Sequence, residues 1–313
     1  MCGNSAEAPS GAQGVLNTIA AKVVMKVFYG ARVARPDLLR AIGHLSCYLT
    51  KWTPECDRRL HKLMCYVKST VDYVYVGWVG DPVEKIRLHL FSDADFAGCQ
   101  TTNKSTTGVY MALEEPNTCF PISTVSKKQG CVSYSTPEAE LVAGAFALRQ
   151  CGYPGIVIWE RLSGQSGERT EKQNDIAPRG GASGTAAAAS VSKPTTSQNM
   201  DDPDAKPEIN IDVVLPECLY FHGDNSAMVA ICHSGRNPTM RHLSRHHGIS
   251  LTMIHDEVIS GRVCLGYIST HDMKADIFTK FYADRKRDVW SSVRDLINVT
   301  HPSKVGEMWG KPE

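Results

Sequence analysis

The sequence predicts an α/β or α+β fold on a mixed parallel and antiparallel sheet, and three features lead there. Between residues 71 and 126, short β-branched and aromatic runs follow one another, separated by Gly, Pro, Asn and Asp turns, as in strands joined by hairpins. After residue 213, the strand-like runs "ECLYFHGD" and "GRVCLGYIS" alternate with helical stretches, as crossover connections require. Between the two regions, residues 163–212 are rich in Gly, Ser, Ala, Thr and Pro and nearly free of large apolar side chains. Such a segment cannot bury enough surface to offset its ordering entropy and reads as a disordered insertion.

Residues 1–14 read as a disordered N-terminus, without the charged and apolar regions of a secretory signal. From 15 to 70 the pattern is helical: "GVLNTIAAKVVMKVFYGARVARPDLLRAIGHL" is apolar at helical spacing, with Pro36 opening a new helix. In "PECDRRLHKLMCYVKST", Leu60, Leu63, Met64 and Val67 recur among charges. Residues 71–162 form the first part of the main domain. "KIRLHLFSD", "GVYMAL" and "CFPISTVS" are its antiparallel meander, and the helix "STPEAELVAGAFALRQCGYPGIVIWERL" has Thr136 as N-cap and Pro137 at its first position. Pro154 and Gly155 should kink or divide that helix. The second part, 213–285, runs strand, short helix "NSAMVAICHSG", basic helix "TMRHLSRHHGISLTMIHDEVIS", strand, and a closing helical region from "HDMKADIFTKF"; residues 286–313 are a C-terminal helix and tail.

The chain's 313 residues suffice for one or two domains. A net charge of +1 argues against a uniformly basic nucleic-acid coat but leaves room for a local basic groove. No apolar run reaches the length of a membrane span, so no membrane partner is expected. Eleven cysteines with no C-x-x-C pair point to reduced thiols in a cytosolic or nuclear compartment.

Four segments carry acids at strand ends or helix faces. In "KIRLHLFSDAD", alternation puts Asp93 and Asp95 on the same side and cannot choose between them, and a solvated strand end accounts for both. In "STPEAEL", Glu138 lies in the first helical turn, where it satisfies orphan N–H groups. Glu140 has no such duty, and its neighbours Ala143, Gly144 and Ala147 form a small-residue stripe able to press against a sheet. Asp224 stands where a strand meets a helix start. An N-cap role suits it equally well, although Asn225 and Ser226 could cap instead. Asp276 lies beside the apolar stripe Met273, Ile277 and Phe281, four residues before Lys280, with which an exposed pair would contribute only tenths of a kcal/mol. His242 and His246 raise the idea of zinc, but no second ligand pair with suitable spacing follows.

Taken in order, "FSDADFAG" with "NKSTTG", "VSKKQGCVSYSTPEAELVA", "FHGDNSAMVA" and "YISTHDMKADIFTK" resemble the ribonuclease H region of copia-type LTR retrotransposon Pol polyproteins. The preceding "ARVARPDLLRAIGHLSCYLTKW" resembles the segment that joins reverse transcriptase to ribonuclease H there. The likeness covers roughly 15–160 and 213–285; the motifs are specific in combination and weak singly. Phe96 stands where a Trp is usual, and the insertion is longer than the family's connector. No Y-x-D-D motif is present, so DNA polymerisation is not expected.

The resemblance implies a ribonuclease-H-like, five-stranded mixed sheet in the order β-β-β-α-β-α-β-α, preceded by the small helical segment. It implies a catalytic and metal-binding set of Asp93, Glu140, Asp224 and Asp276. Four hard oxygen donors suit two Mg²⁺ or Mn²⁺ ions about 3.5–4 Å apart, not a thiolate-loving metal. The implied reaction is endonucleolytic cleavage of RNA in an RNA–DNA hybrid, read through its minor groove. Lys104, Lys127, Lys128 and Asn225 are the nucleic-acid-binding candidates, the lysines being placed in loops, and His271 is an auxiliary candidate for product release or proton transfer. Solvated loop lysines and a surface histidine explain the same residues. The expected partners are the hybrid and the reverse transcriptase portion of the same polyprotein. The expected location is cytoplasm or nucleus, within an intracellular virus-like particle if the element is active. The alternatives are a catalytically inactive remnant, a hybrid-binding module, or a structural partner docking through the 15–69 helices.

Overall fold

A computed structural model describes residues 12–99, 101–163, 218–282 and 287–308. The expected disordered segment 163–212 lies, from residue 164 onward, outside the described residues, as do residues 1–11. The ordered body already includes Gly14, whose N–H donates to the Trp52 carbonyl at 3.0 Å.

The chain is a mixed α/β protein whose sheet has six strands rather than five. The strands are β1 (Val74–Tyr75), β2 (Trp78–Val79), β3 (Arg87–Asp95), β4 (Thr106–Glu115), β5 (Thr118–Lys128), β6 (Leu219–Gly223), β7 (Val263–Tyr267) and β8 (Val299–Thr300). The large sheet runs β2-β5-β4-β3-β6-β7, and β1 pairs separately with β8. The extra strand is two residues of the "VDYVYVGWV" run, Trp78 and Val79 pairing with Cys119 and Thr118. β3, β4 and β5 are an antiparallel meander, while β6 and β7 add in parallel beyond β3, so the architecture is consistent with a ribonuclease-H-like fold.

Helices cover both faces, as parallel strands demand. On one face lie α4 (Thr136–Ala147), α5 (Tyr153–Leu162), α6 (Ser226–Ser234), the short α7 (Leu243–His246) and α8 (Leu251–Ile259). They share a core with Leu88, Leu90, Val109, Leu219 and Phe221. On the other face, α1 (Asn17–Val33), α2 (Leu39–Ser46), α3 (Pro54–Ser69), α9 (Arg287–Leu296) and the 3₁₀ turn Lys274–Phe278 pack on Phe91, Tyr110 and Ala112. A short α10 (Val305–Met308) closes the described chain. The amino-terminal helices are tied in by Asp57 of α3, whose carboxylate accepts from the N–H groups of Val15 and Leu16 and from the Trp52 indole.

Several elements depart from expectation for identifiable reasons. The N-cap of α4 is Ser135, whose extended backbone lets its hydroxyl accept from the Glu138 N–H; Thr136 is already helical. As expected from Pro154 and Gly155, the helix divides, at a π-turn, Leu148–Gly152, just before Pro154, which has no N–H to continue the ladder. The continuous helical run Thr136–Leu162 is long and apolar enough to cross a membrane by length and composition, yet much of it is buried on the sheet. The basic helical stretch is broken after α7, where Gly248 adopts φ +64°. The closing region is a 3₁₀ turn and α9 rather than one helix, with 283–286 outside the described residues. Cys218 and Cys264 are joined in a disulfide across the β6–β7 edge, which corrects the reading of all thiols as reduced.

One close approach fixes the 3₁₀ turn against the sheet. Gly108 pairs with Asp93 across β3–β4, and a Cβ there would stand 2.6 Å from the Ala275 carbonyl and 2.7 Å from Thr279 Cγ2. Gly108→Ala is therefore expected to destabilise the fold by ~1–3 kcal/mol, as overpacking does, measured by urea denaturation.

Candidate metal centre

Asp93, Glu140 and Asp224 offer oxygen atoms that all lie within 4.8 Å of one another, and no other such group occurs among the described residues. Three elements deliver them. Asp93 lies near the carboxyl end of β3, and Asp224 directly follows the parallel neighbour β6, so the two strands end at one edge of the sheet. Glu140 comes from α4, whose buried Ala143, Gly144 and Ala147 allow the helix backbone close to Phe221 and Ser92.

Asp95, which alternation could not separate from Asp93, is engaged elsewhere. Its carboxylate receives Arg40 Nη2 at 2.9 Å and the Thr106 N–H, holding the turn after β3. Asp93 instead accepts from the Thr279 hydroxyl, a partner in the turn after Asp276 that no local pattern announced. Asn225 caps α6, accepting from the Met228 N–H at 2.9 Å, so Asp224 is not the cap; its Oδ2 accepts from the Thr270 hydroxyl at 3.0 Å.

Asp276, expected as a fourth ligand, is buried but is not one of the three clustered acids. Its Oδ2 pairs with Lys280 Nζ at 2.5 Å, while its Oδ1 has no hydrogen-bond partner among the described residues. Because Asp276 is only 7% exposed, this pair is not the loose surface contact expected from spacing alone.

Burial and mutual repulsion raise the proton affinities. Desolvation, then Asp93 and Asp224, push Glu140 up to about 9. Desolvation followed by the Asp93 charge lifts Asp276 to about 7. Asp93 is raised by desolvation, with Lys280 and the Thr279 hydroxyl opposing. Although burial works against the Lys280 ammonium, Asp93 and Asp276 hold its pKa above the ordinary value.

This donor set fits a hard divalent cation. The clustered atoms are carboxylate oxygens, and Glu140 Oε2 is buried with no hydrogen-bond partner among the described residues.

The remaining candidates are dispersed. Lys127 and Lys128 lie on the end of β5 rather than in a loop and, by alternation, on opposite faces. Lys127 sits over the Phe146 ring, Lys128 contacts Cys99 Sγ at 2.8 Å, and Lys104 donates to the Gly130 carbonyl. His271 is exposed in the loop that supplies Thr270. His242 does not form the i,i+4 zinc pair: it and His247 both meet Glu138 Oε1, at 3.1 and 3.0 Å.

Comparison with known proteins adds a family relationship. Over 246 residues, 79% of the chain, the sequence is 26% identical to a retrovirus-related Pol polyprotein from transposon RE2 of Arabidopsis thaliana, of which the match spans 13%. It is 31% identical over 120 residues to the corresponding polyprotein from transposon TNT 1-94 of Nicotiana tabacum, covering 38% of the chain and 8% of that protein. It is also 33% identical over 117 residues to secreted RxLR effector protein 161 of Plasmopara viticola, covering 37% of the chain and 78% of that protein. No family model and no solved structure matches the chain. The Pol relationships support a fragment of a retrotransposon Pol polyprotein.

Two measurements test this site. Asp95→Ala strips the partner from a largely buried guanidinium and is expected to cost ~3–5 kcal/mol of stability in urea denaturation. In metal-free buffer, the folded protein keeps the Glu140 proton to about pH 9, while the unfolded chain releases it near 4.5. The folded state therefore binds more protons across that window, and its stability falls as pH rises through it. Glu140→Gln should flatten the decline in urea midpoint from acid to alkaline pH; an unchanged slope would contradict the burial of this carboxyl.

Proposed function

We propose that this relative of retrotransposon Pol polyproteins is a metal-dependent ribonuclease H, cutting the RNA strand of RNA–DNA hybrids to leave 3′-OH and 5′-phosphate ends. The convergence of Asp93, Glu140 and Asp224 on one edge of the sheet is the observation that carries this reading. Asp93, Glu140 and Asp224 would hold the two ions, with Asp276 at the margin. Bound there, Mg²⁺ or Mn²⁺ would supply an activated water and neutralise charge developing on the phosphodiester.

The chain's own residues do the positioning. The Thr279 hydroxyl and Lys280 ammonium fix the orientations of Asp93 and Asp276. Glu140, protonated at neutral pH while anions face it, is placed to hold or release a proton at the site. Among the phosphate-contact candidates, Lys127 is exposed and holds a ring contact with Phe146, whereas Lys104 and Lys128 contact polar or thiol groups of the protein and Asn225 its helix cap.

A labelled RNA–DNA hybrid incubated with the protein and Mg²⁺ is expected to be cleaved only in its RNA strand. Asp93→Asn should reduce the rate by more than about 100-fold, beyond the usual loss from an outer-shell change at a metal site. Undiminished cleavage by that variant, or no cleavage by the unaltered chain, would remove the catalytic assignment.

A further inference from the structure

We propose that the cleft between helices α2–α3 and residues 280–282 and 290–291 binds a single strand of nucleic acid leading away from the carboxylate centre. The cleft has a volume of about 780 Å³, with Arg40, Arg59 and Lys62 on one side and Lys280, Phe281 and Trp290 on the other. It begins beside the acidic site: Lys280 holds Asp276, and Arg40 Nε donates at 2.7 Å to the carbonyl of Thr279, whose hydroxyl holds Asp93.

Its charge selects an anion. Among the described residues, the lining carries five Lys and Arg side chains and two acids, with Arg40 and Lys280 already paired to Asp95 and Asp276. Asp37 is occupied by Arg35 and the Tyr66 hydroxyl, and Glu55 is shared by Arg58 at 2.6 Å and Arg59 at 2.9 Å. Two guanidiniums on one carboxylate leave a positive charge facing the cleft. Burial, and after it the Arg40 and Arg59 charges, push the neighbouring His44 down to about 4.

Its aromatic content selects a nucleic acid over an acidic peptide. Phe281 is 48% exposed, with the Arg40 guanidinium 4.0 Å from its ring centre, while Tyr282 and Trp290 lie 5.4 Å apart. Cationic grooves interleaved with rings are how proteins hold unpaired strands, each base adding stacking energy irrespective of sequence. A cleft of this volume has room for a ligand of one or two nucleotides. The hybrid-cleaving reading explains why a strand would arrive there, and the proposal rests on it to that extent.

The test uses the full chain carrying Asp93→Asn and measures fluorescence anisotropy with a blunt RNA–DNA hybrid and with the same hybrid bearing an overhang of about six nucleotides. The overhang is expected to tighten binding by about tenfold or more, the scale of one stacked base. That gain should be lost on adding either Arg59→Gln or Phe281→Ala, with circular dichroism melts reporting that each variant is folded. Equal affinity for the two hybrids, or an overhang gain that survives both substitutions, overturns the proposal. So does displacement of the overhang by polyglutamate as readily as by an oligodeoxynucleotide. The nuclease reading is scored separately, by cleavage of the blunt hybrid by the unaltered chain. An overhang gain without that cleavage supports the cleft and removes the nuclease; cleavage without the gain does the reverse.

Discussion

The repulsion among Asp93, Glu140 and Asp224 is the constraint around which the rest of the molecule is arranged. Three acids within 4.8 Å, two of them almost fully buried, cannot all ionise in a dry site unless positive charge is brought to them. The chain supplies only part of that charge, through Lys280. Protonation of Glu140 relieves the remainder in the absence of cations. The surrounding packing keeps the acids from moving apart: α4 is held close by its small residues, and the 3₁₀ turn is held close by Gly108. Such a cluster of carboxylates is one that a bound cation could relieve.

The sheet was legible in the sequence because both of its periodicities are plain. Alternation marked the meander, and β6 and β7 appear as short apolar runs between helices, as strands buried on both faces should. Breaks were harder to read. Pro154 announced the division of the helix after α4, but the Gly248 break and the interrupted closing region come from tertiary packing and single-residue backbone demands, which average out of an apolar pattern. The Cys218–Cys264 bond was hidden for a different reason. The two residues are 46 positions apart in sequence, and only the parallel pairing of β6 with β7 makes them neighbours.

At the site, what could be read locally depended on whether a residue's competing duty lay nearby in the chain. Glu138 has a local duty in the first turn of α4, which left Glu140 available, whereas the cap of α6 stayed open between Asp224, Asn225 and Ser226 in the sequence, and the structure gives it to Asn225. Asp93 and Asp95 could not be separated in this way. The groups that distinguish them, Thr279 for the first and Arg40 for the second, lie 186 and 55 residues away. The same limit conceals Glu138's second role. Besides its helix-start contacts it binds His242 and His247, over 100 residues later, tying the basic loop to the helix that carries Glu140.

Arg40 connects the two halves of this arrangement. It belongs to α2, among the helices that precede the sheet, yet its guanidinium reaches both Asp95 and the Thr279 carbonyl. The amino-terminal helices therefore do more than cover an apolar face. Through one buried cation they brace the turn after β3 and the segment that carries Asp276 and Thr279. Removing those helices would uncover the core shared by Phe91, Tyr110 and Phe278 and would leave Asp95 buried without its counter-charge. The geometry of the acidic centre thus depends on residues 17–69 as well as on the strands and helices that carry the acids.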